Sequence, residues 1–571
     1  MAQRSAVISR PQRWDAPFDP DMAEADVDRV LAIEPFSQID PQRFPGALPL
    51  RKLILNDCRI VRARPGDIIV REGDYGSSLF FIMAGTVRVA IDSMPARLLG
   101  RREPARKGLL RTIAQLWTNH RTTEYRDVQG YVAHGAGAAQ RGEGGQARIF
   151  LQDVPTVLDE HRTATISDGS FFGELAALAR IPRTATVFAE TDCELLEMRW
   201  QGFRDIRRRS EAIRDHVDQL YRERSLKAQL QATDMFRDLS EAELDEVADQ
   251  TTFETFGEFD WYGSFKRLPA QDPARRLAHE PIIAEQGHYP DGLILIRAGF
   301  VRVSCKYGDG ERTISYLGRG QSYGFEELSE AFQTDRAVPF KRTIRALGYV
   351  DILRVPTVIV EKYVLSRRSS EGPKKAGRSP DGADRRWDEV PARIETGMLE
   401  FLVENRFING ASTMLIDLDR CTGCDDCVRA CAEAHDGNPR FIRHGKQFDH
   451  YLVANACMHC ADPVCMIGCP TGAIHRDLQG GEVVINDLTC IGCATCANSC
   501  PYHNIRMVEI RDETGDFVLD EHSQTPILKA TKCDLSVDQP GDPPCQRACP
   551  HDALVRLDMM DTRAVERFLD R

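Results

Sequence analysis

The chain has 571 residues, 42% of them hydrophobic and 28% charged, with a formal net charge of −12. That length exceeds what one core organises and predicts three or four domains. The acidic balance implies no general affinity for nucleic acid or anionic membrane, and no run of about 18 apolar residues is present to span a bilayer. Residues 1–26 carry charges without the apolar segment of a secretory signal. A cytoplasmic protein without direct membrane insertion is expected, in which cysteines stay reduced and metal binding is their default role.

In chain order, residues 1–43 are rich in Pro and Asp and read as a loosely ordered arm. A first domain is read at 44–231, and from 44 to about 200 its pattern is short β-branched runs broken by glycines. DIIV (67–70), SLFFI (78–82), TVRVAI (86–91) and TATVFAE (184–190) predict strands of a small β-barrel. Residues 95–147 interrupt them with a basic stretch and a Gly/Ala loop, an insertion that is either solvated or a docking arm. Residues 201–231 are helix-forming and charged. A second strand-rich segment covers 232–362 and echoes the first: VREGDYGSSLFFIMAGTVRV (70–89) returns as AEQGHYPDGLILIRAGFVRV (284–303). The echo is an internal repeat of one domain type. Residues 363–411 hold a polar, basic linker (366–386) and a helix (388–408) leading into a cysteine-rich domain, 412–571.

Gly66, Glu72, Gly73, Asp74, Gly85 and the string FGELAALARIPRTATV (172–187) carry a resemblance to the cyclic-nucleotide-binding domain family. The chemistry of that string stands by itself. Gly173 lets backbone approach a ligand, the residues after it can open a helix whose N–H groups favour an anion, and Arg183 offers a forked permanent cation. The resemblance implies that Glu174 binds a ribose 2′-OH and Arg183 the cyclic phosphate of cAMP or cGMP. Gly173, Leu175, Ala176 and Thr184 would supply backbone or hydroxyl contacts. The second repeat departs from this pattern. Phe325 stands in place of Glu174 and Phe340 in place of Arg183, with Arg342 and Arg345 out of register. A phosphodiester there has nothing to offset its desolvation, so the second barrel is expected to lack ligand. No helix-turn-helix follows either barrel, which leaves DNA binding a weak alternative.

Fifteen of the eighteen cysteines fall in the last third. They form Cys421-x2-Cys424-x2-Cys427-x3-Cys431, Cys457-x2-Cys460-x4-Cys465-x3-Cys469, Cys490-x2-Cys493-x2-Cys496-x3-Cys500, and Cys533 with Cys545-x3-Cys549. The first and third have the bacterial ferredoxin spacing, in which the fourth cysteine binds a different cluster from the other three. Zinc sites would not need this x3 step.

This portion resembles the four-cluster iron–sulfur subunits of the molybdopterin oxidoreductase family. The carrying strings are IDLDRCTGCDDCVRAC (416–431), CMHCADPVCMIGCP (457–470), CIGCATCANSCPYHNI (490–505) and KCDLS…PPCQRACP (532–550). The resemblance implies two intertwined ferredoxin-like modules. It implies one cluster on Cys421, Cys424, Cys427 and Cys549; a second on Cys490, Cys493, Cys496 and Cys469; a third on Cys457, Cys460, Cys465 and Cys500; and a fourth on Cys533, Cys545 and Cys431. Ser536 replaces the family's cysteine in the fourth, so three [4Fe–4S] clusters and one [3Fe–4S] cluster are expected. Cys58, Cys193 and Cys305 read as small apolar barrel residues. His435, His450, His459 and His503 read as neighbours of the clusters and not as ligands.

The fold expected is a multidomain α+β chain: two tandem jelly-roll-like barrels with helices, then the double ferredoxin-like domain. No catalytic residue, pterin, flavin or hydride site is found. The function expected is single-electron transfer between redox partner subunits, such as a molybdopterin-type oxidoreductase and a quinone-linked membrane subunit, modulated by a cyclic nucleotide in the first barrel. The alternative is a signalling protein whose clusters sense redox state and report through the barrels.

Overall fold

The computed structural model describes residues 7–90, 163–174, 182–258, 279–367, 394–477, 480–512, 515–536 and 542–571, apart from 234, 238, 309 and 436, together with 94, 161, 261–266 and 277. The insertion at 95–147, most of the linker at 366–386, and Leu175 and Ala176 lie outside the described residues.

The first barrel is built from two antiparallel four-stranded sheets. Strands β2 (Cys58–Ala63), β4 (Ser78–Ala84), β7 (Phe171–Phe172) and β9 (Cys193–Arg199) pair in the order 2-9-4-7. Strands β3 (Ile68–Val70), β5 (Thr86–Ala90), β6 (Thr163–Ser167) and β8 (Thr186–Ala189) pair in the order 3-8-5-6. The second barrel repeats this pairing strand for strand. Its β10 (Thr252–Phe256), β12 (Gly292–Ala298), β15 (Ser322–Tyr323) and β17 (Val350–Pro356) run 10-17-12-15. Its β11 (Ile282–Ala284), β13 (Val301–Tyr307), β14 (Gly310–Leu317) and β16 (Thr343–Ala346) run 11-16-13-14.

The unbroken apolar runs have a physical reason. Successive side chains of a strand point to opposite faces. In β4, Phe80 and Ile82 fill the barrel interior while Leu79 and Phe81 pack against the flanking helices. In β12, Ile294 and Ile296 face inward and Leu293 and Leu295 outward. Both faces are covered, so neither strand alternates with polar residues. The helix-forming stretch after the first barrel becomes two helices, Trp200–Arg209 and Glu211–Ala232.

The N-terminal arm corrects the sequence reading. Val7–Ile8 forms β1, which pairs in parallel with β24 (Leu519–Asp520) of the C-terminal domain. Helix α1 (Glu24–Leu31) then packs Val27 and Val30 into the core of the first barrel, with Met22, Phe36, Ile39 and Phe44 beside them. Pro and Asp dominate the composition, but these few apolar residues suffice because each reaches the same seam around Phe81 and Phe203. Phe36 meets Phe81 edge to face at 5.1 Å.

In the C-terminal domain, β18 (Thr413–Asp417), β19 (Ile442–Phe448), β20 (Tyr451–Asn455) and β26 (Leu554–Leu557) form one antiparallel sheet, order 19-20-18-26. Two-stranded sheets follow: β21 (Ile474–Arg476) with β22 (Val483–Ile485), and β23 (Arg506–Glu509) with β25 (Leu528–Thr531). Both barrels touch this domain directly, whatever the linker does. Arg204 of the first barrel donates to the Ile467 carbonyl. From the second barrel, Trp261 Nε1 donates to Asp462 at 3.0 Å and the Tyr316 hydroxyl to the Met559 carbonyl. Among the described residues no helix is long and apolar enough to cross a membrane.

Phe36 is 1% exposed. Phe36→Ala should cost about 3–5 kcal/mol and lower the denaturation midpoint of the first barrel. Chemical denaturation followed by fluorescence measures it; an unchanged midpoint would return residues 1–43 to the status of a loose arm.

Candidate metal centre and ligand cassette

Four short helices each carry a Cys-x3-Cys pair. They are Asp426–Ala434, Val464–Ile467, Thr495–Ser499 and Pro544–Arg547, the last three ending just before the pair's second cysteine. Residues four apart lie on one helix face about 6 Å apart along the axis. Each helix therefore hands one thiol to one site and the next thiol to a neighbouring site.

The thiols gather in four groups. Cys421, Cys424, Cys427 and Cys549 line one cavity of about 330 Å³ together with Ile416, Arg443 and Leu554. Cys469, Cys490, Cys493 and Cys496 line a second of the same volume with Ile474, Ile485 and Ala530. Cys460 is pushed well above the usual thiol range by burial and by the neighbouring Cys457, Cys465 and Cys500. Cys545 is pushed up to about 12 by burial, with Cys533 and Cys431 close by. Burial and neighbouring thiols likewise raise Cys496 to about 12 and Cys427 to about 11. Such crowded, desolvated thiols become thiolates only against a bound cation, which is the donor chemistry of an iron–sulfur cluster. The fifteen cysteines thus fit that group.

Backbone N–H groups aim at the shared thiols. Arg440 N reaches Cys431 Sγ at 3.2 Å, Ala553 N reaches Cys549 Sγ at 3.3 Å and Asn504 N reaches Cys500 Sγ at 3.4 Å. Of the eighteen cysteines only Cys424 and Cys493 are exposed. Each belongs to one of the two four-cysteine cavities, while no thiol of the Cys457 and Cys431 groups is exposed. In the three-cysteine group, Ser536 has left-handed backbone, φ 51°, and donates its N–H to Asp534 at 2.9 Å. His435 is buried and faces the same Asp534 at 3.5 Å. His459 is buried, accepts from Val483 N–H on Nδ1, and is held neutral because burial and then Lys532, Arg556 and Arg476 depress its pKa. His450 pairs with Asp449 at 2.8 Å and His503 is exposed. Of the lone cysteines, Cys58 and Cys193 are buried and Cys305 is half-buried.

The cassette of the first barrel is closed around its arginine. Arg183 is 7% exposed and donates Nη1 to the Gly173 carbonyl at 2.9 Å and Nη2 to the Ser78 carbonyl at 2.7 Å. Burial lowers its pKa to about 10, against the opposing pull of Glu197, Glu174 and Asp74. A Cβ on Gly76 would lie 2.3 Å from the guanidinium, and Gly173 has φ 80°, so both positions need glycine. Glu174 is buried beside it, whereas Thr184 is exposed. In the second barrel the backbone of Phe340 pairs with Gly287 and His288 as that of Arg183 pairs with Gly73 and Asp74. Its ring stacks on Tyr323 at 5.3 Å and fills the place of the guanidinium.

Sequence reasoning missed one junction. Tyr75, in the loop that holds Arg183, lies under the guanidinium of Arg476, 5.1 Å from its ring centre. Arg476 in turn donates to the Cys460 carbonyl at 2.7 Å. The cassette and one thiol group are therefore two side chains apart, a contact across some 400 residues that no local pattern signals.

The 4Fe-4S dicluster domain family matches residues 448–555, and the cyclic nucleotide-binding domain family matches residues 145–210. The electron transport protein HydN of Escherichia coli (strain K12) is 32% identical over 166 residues, 27% of this chain and 89% of that protein. The arsenate respiratory reductase iron-sulfur subunit ArrB of Shewanella sp. (strain ANA-3) is 28% identical over 200 residues, 26% of this chain and 83% of that subunit. The NADH-dependent phenylglyoxylate dehydrogenase subunit beta of Aromatoleum evansii is 33% identical over 153 residues, 26% of this chain and 30% of that subunit. The chain thus spans less than a third of this last relative's length.

Gly492, between Cys490 and Cys493, has φ 67° and its Cβ position lies 2.1 Å from the Leu528 carbonyl. Gly423, between Cys421 and Cys424, has φ 73° but nothing nearer than 3.8 Å. Gly423→Ala should pay only the backbone cost, about 1–2 kcal/mol, and keep its iron. Gly492→Ala also forces backbone apart and should lose iron from its group. Anaerobic iron and sulfide analysis compares the two; equal iron in both would refute the distinction.

Proposed function

Since the chain belongs to the ferredoxin-like family of iron–sulfur electron-transport proteins and carries a cyclic nucleotide-binding domain, we propose that it is a four-cluster electron conduit between redox partner subunits, modulated by a cyclic nucleotide in its first barrel. Bound clusters supply one-electron chemistry. The chain's residues supply their order. The helices Asp426–Ala434 and Pro544–Arg547 join the Cys421 group to the Cys431 group, and Val464–Ile467 and Thr495–Ser499 join the Cys457 group to the Cys490 group. Arg556, bound to both Cys533 and Cys457, joins the two inner groups. The observation that carries the reading is that the two exposed thiols, Cys424 and Cys493, fall at opposite ends of this series. A wire needs accessible ends and a covered middle; a redox sensor needs a single cluster.

In this reading three groups hold [4Fe–4S] clusters and the Cys431 group, with Ser536 at its open corner, holds [3Fe–4S]. The partners are subunits of an oxidoreductase complex, one of molybdopterin type and one a quinone-linked membrane subunit. Anaerobically purified protein should contain about 15 iron atoms per chain and, when oxidised, give the isotropic paramagnetic resonance signal of a three-iron centre. About 16 irons with no such signal would contradict the role given to Ser536; two clusters or fewer would defeat the conduit.

Modulation is supported by the path from Arg183 through Tyr75 to Arg476 and Cys460. A cyclic phosphate must draw Arg183 from two backbone carbonyls, which disturbs the loop that places Tyr75. Coupling of this kind is reciprocal. Calorimetry with cAMP and cGMP should therefore find one site per chain, weakened by about 2–3 kcal/mol or more in Arg183→Ala. Its affinity should differ between oxidised and dithionite-reduced protein. Two equal sites, or affinity indifferent to redox state, would count against the second-barrel assignment and the coupling respectively.

A further inference from the structure

Two cations stand between the inner thiol groups. Lys532 is 4% exposed, and its ammonium donates to the Cys533 carbonyl at 2.8 Å. Arg556, on β26, donates Nη2 to Cys533 Sγ at 3.1 Å. Its Nη1 reaches the Cys457 carbonyl at 2.8 Å and the Ser412 carbonyl at 2.9 Å. Cys533 belongs to the three-cysteine group and Cys457 to the neighbouring four-cysteine group, so one guanidinium spans both. Among the described residues no carboxylate forms an ion pair with either cation. The contrast with Arg443 at the outer Cys421 group is direct: Arg443 is held by Asp425 at 2.6 Å.

Lys532 is buried and Arg556 half-buried, and a cation so placed without a carboxylate is costly unless another negative charge faces it. Among the described residues, the group of potential negative charge in direct contact with Arg556 is the Cys533 sulfur. A hydrogen bond from a permanent cation to a cysteine sulfur favours the more negative, reduced member of the redox pair. A Coulombic contribution of the same sign adds to it in a site screened from solvent.

We propose that Arg556, supported by Lys532, is a positioning residue that raises the reduction potential of the centre on Cys431, Cys533 and Cys545, and to a lesser degree that of the centre on Cys457, Cys460, Cys465 and Cys500. This rests on the reading of those groups as clusters. The two inner centres are thereby matched to each other across one guanidinium, and an electron arriving at either outer end meets an inner pair that accepts it.

Full-length protein purified without oxygen is titrated with dithionite and ferricyanide while paramagnetic resonance follows each signal. Arg556→Gln should make reduction of the three-cysteine centre at least tenfold less favourable, a fall of about 59 mV for one electron. Arg556→Lys, which keeps the charge, should stay within threefold of the parent. Lys532→Gln should move the same centre in the same direction by less. Iron content is measured on every sample. Unchanged potentials in an iron-replete Arg556→Gln protein overturn the proposal, as does an Arg556→Lys fall as large as that of Arg556→Gln, which would make the effect one of geometry. If Arg556→Gln loses iron, Lys532→Gln decides, and an unchanged potential there is equally fatal. A parent protein lacking the signals altogether defeats the cluster reading, a result the iron analysis keeps separate.

Discussion

Fifteen cysteine thiols gathered in one small domain are a problem of charge before they are a problem of shape. Each thiolate is costly in a buried site, and neighbouring thiolates raise the cost. The domain answers with cations on the carbonyls of the ligand cysteines themselves. Lys529, fully buried, reaches the Asp487 carbonyl at 3.1 Å and the Cys490 carbonyl. Arg10 of the N-terminal arm donates to the Ile491 and Gly492 carbonyls at 3.2 Å. Arg476, Lys532 and Arg556 do the same for Cys460, Cys533 and Cys457. A chain whose net charge is −12 thus keeps cations, Lys529 and Lys532 buried among them, where its cysteines converge.

That arrangement explains why the barrels sit where they do. Arg10 and Tyr75 belong to the N-terminal half, yet both act at the sulfur groups, one directly and one through Arg476. The junctions are made by side chains of the barrel frame, so the long polar linker need not set the distance between the domains. The duplicated barrel divides the labour. The first copy keeps Arg183 between the Gly173 and Ser78 carbonyls. The second, with the same backbone pairing, fills that place with Phe340 stacked on Tyr323 and turns its outer face to Asp462 and Met559.

Much of this is legible in the sequence because the features are local. The x3 spacing is one helical turn, so Cys427 and Cys431 must point to adjacent sites wherever the helix lies. The repeat shows itself because equivalent loops need glycine at equivalent places. The departure at Phe340 is visible once the two repeats are set side by side. What the sequence hides is non-local. Nothing in VI at positions 7–8 announces a partner at 519–520. Sparse apolar residues among prolines and aspartates gave no period, so the arm's place in the first core was unreadable. Arg183 could be identified as a cation for phosphate, but not as one already engaged by two carbonyls.

The pairing of β1 with β24 also bears on how the molecule is made. Arg10 meets Asp520 across 510 residues. At a ribosomal pace of about 5–20 residues per second, the arm waits roughly 25–100 s for its partner strand to emerge. During that interval the barrels, whose strands all precede residue 357, can close upon themselves. The contact of Arg10 with the Ile491 carbonyl, 481 residues away, therefore forms only after both barrels have been made.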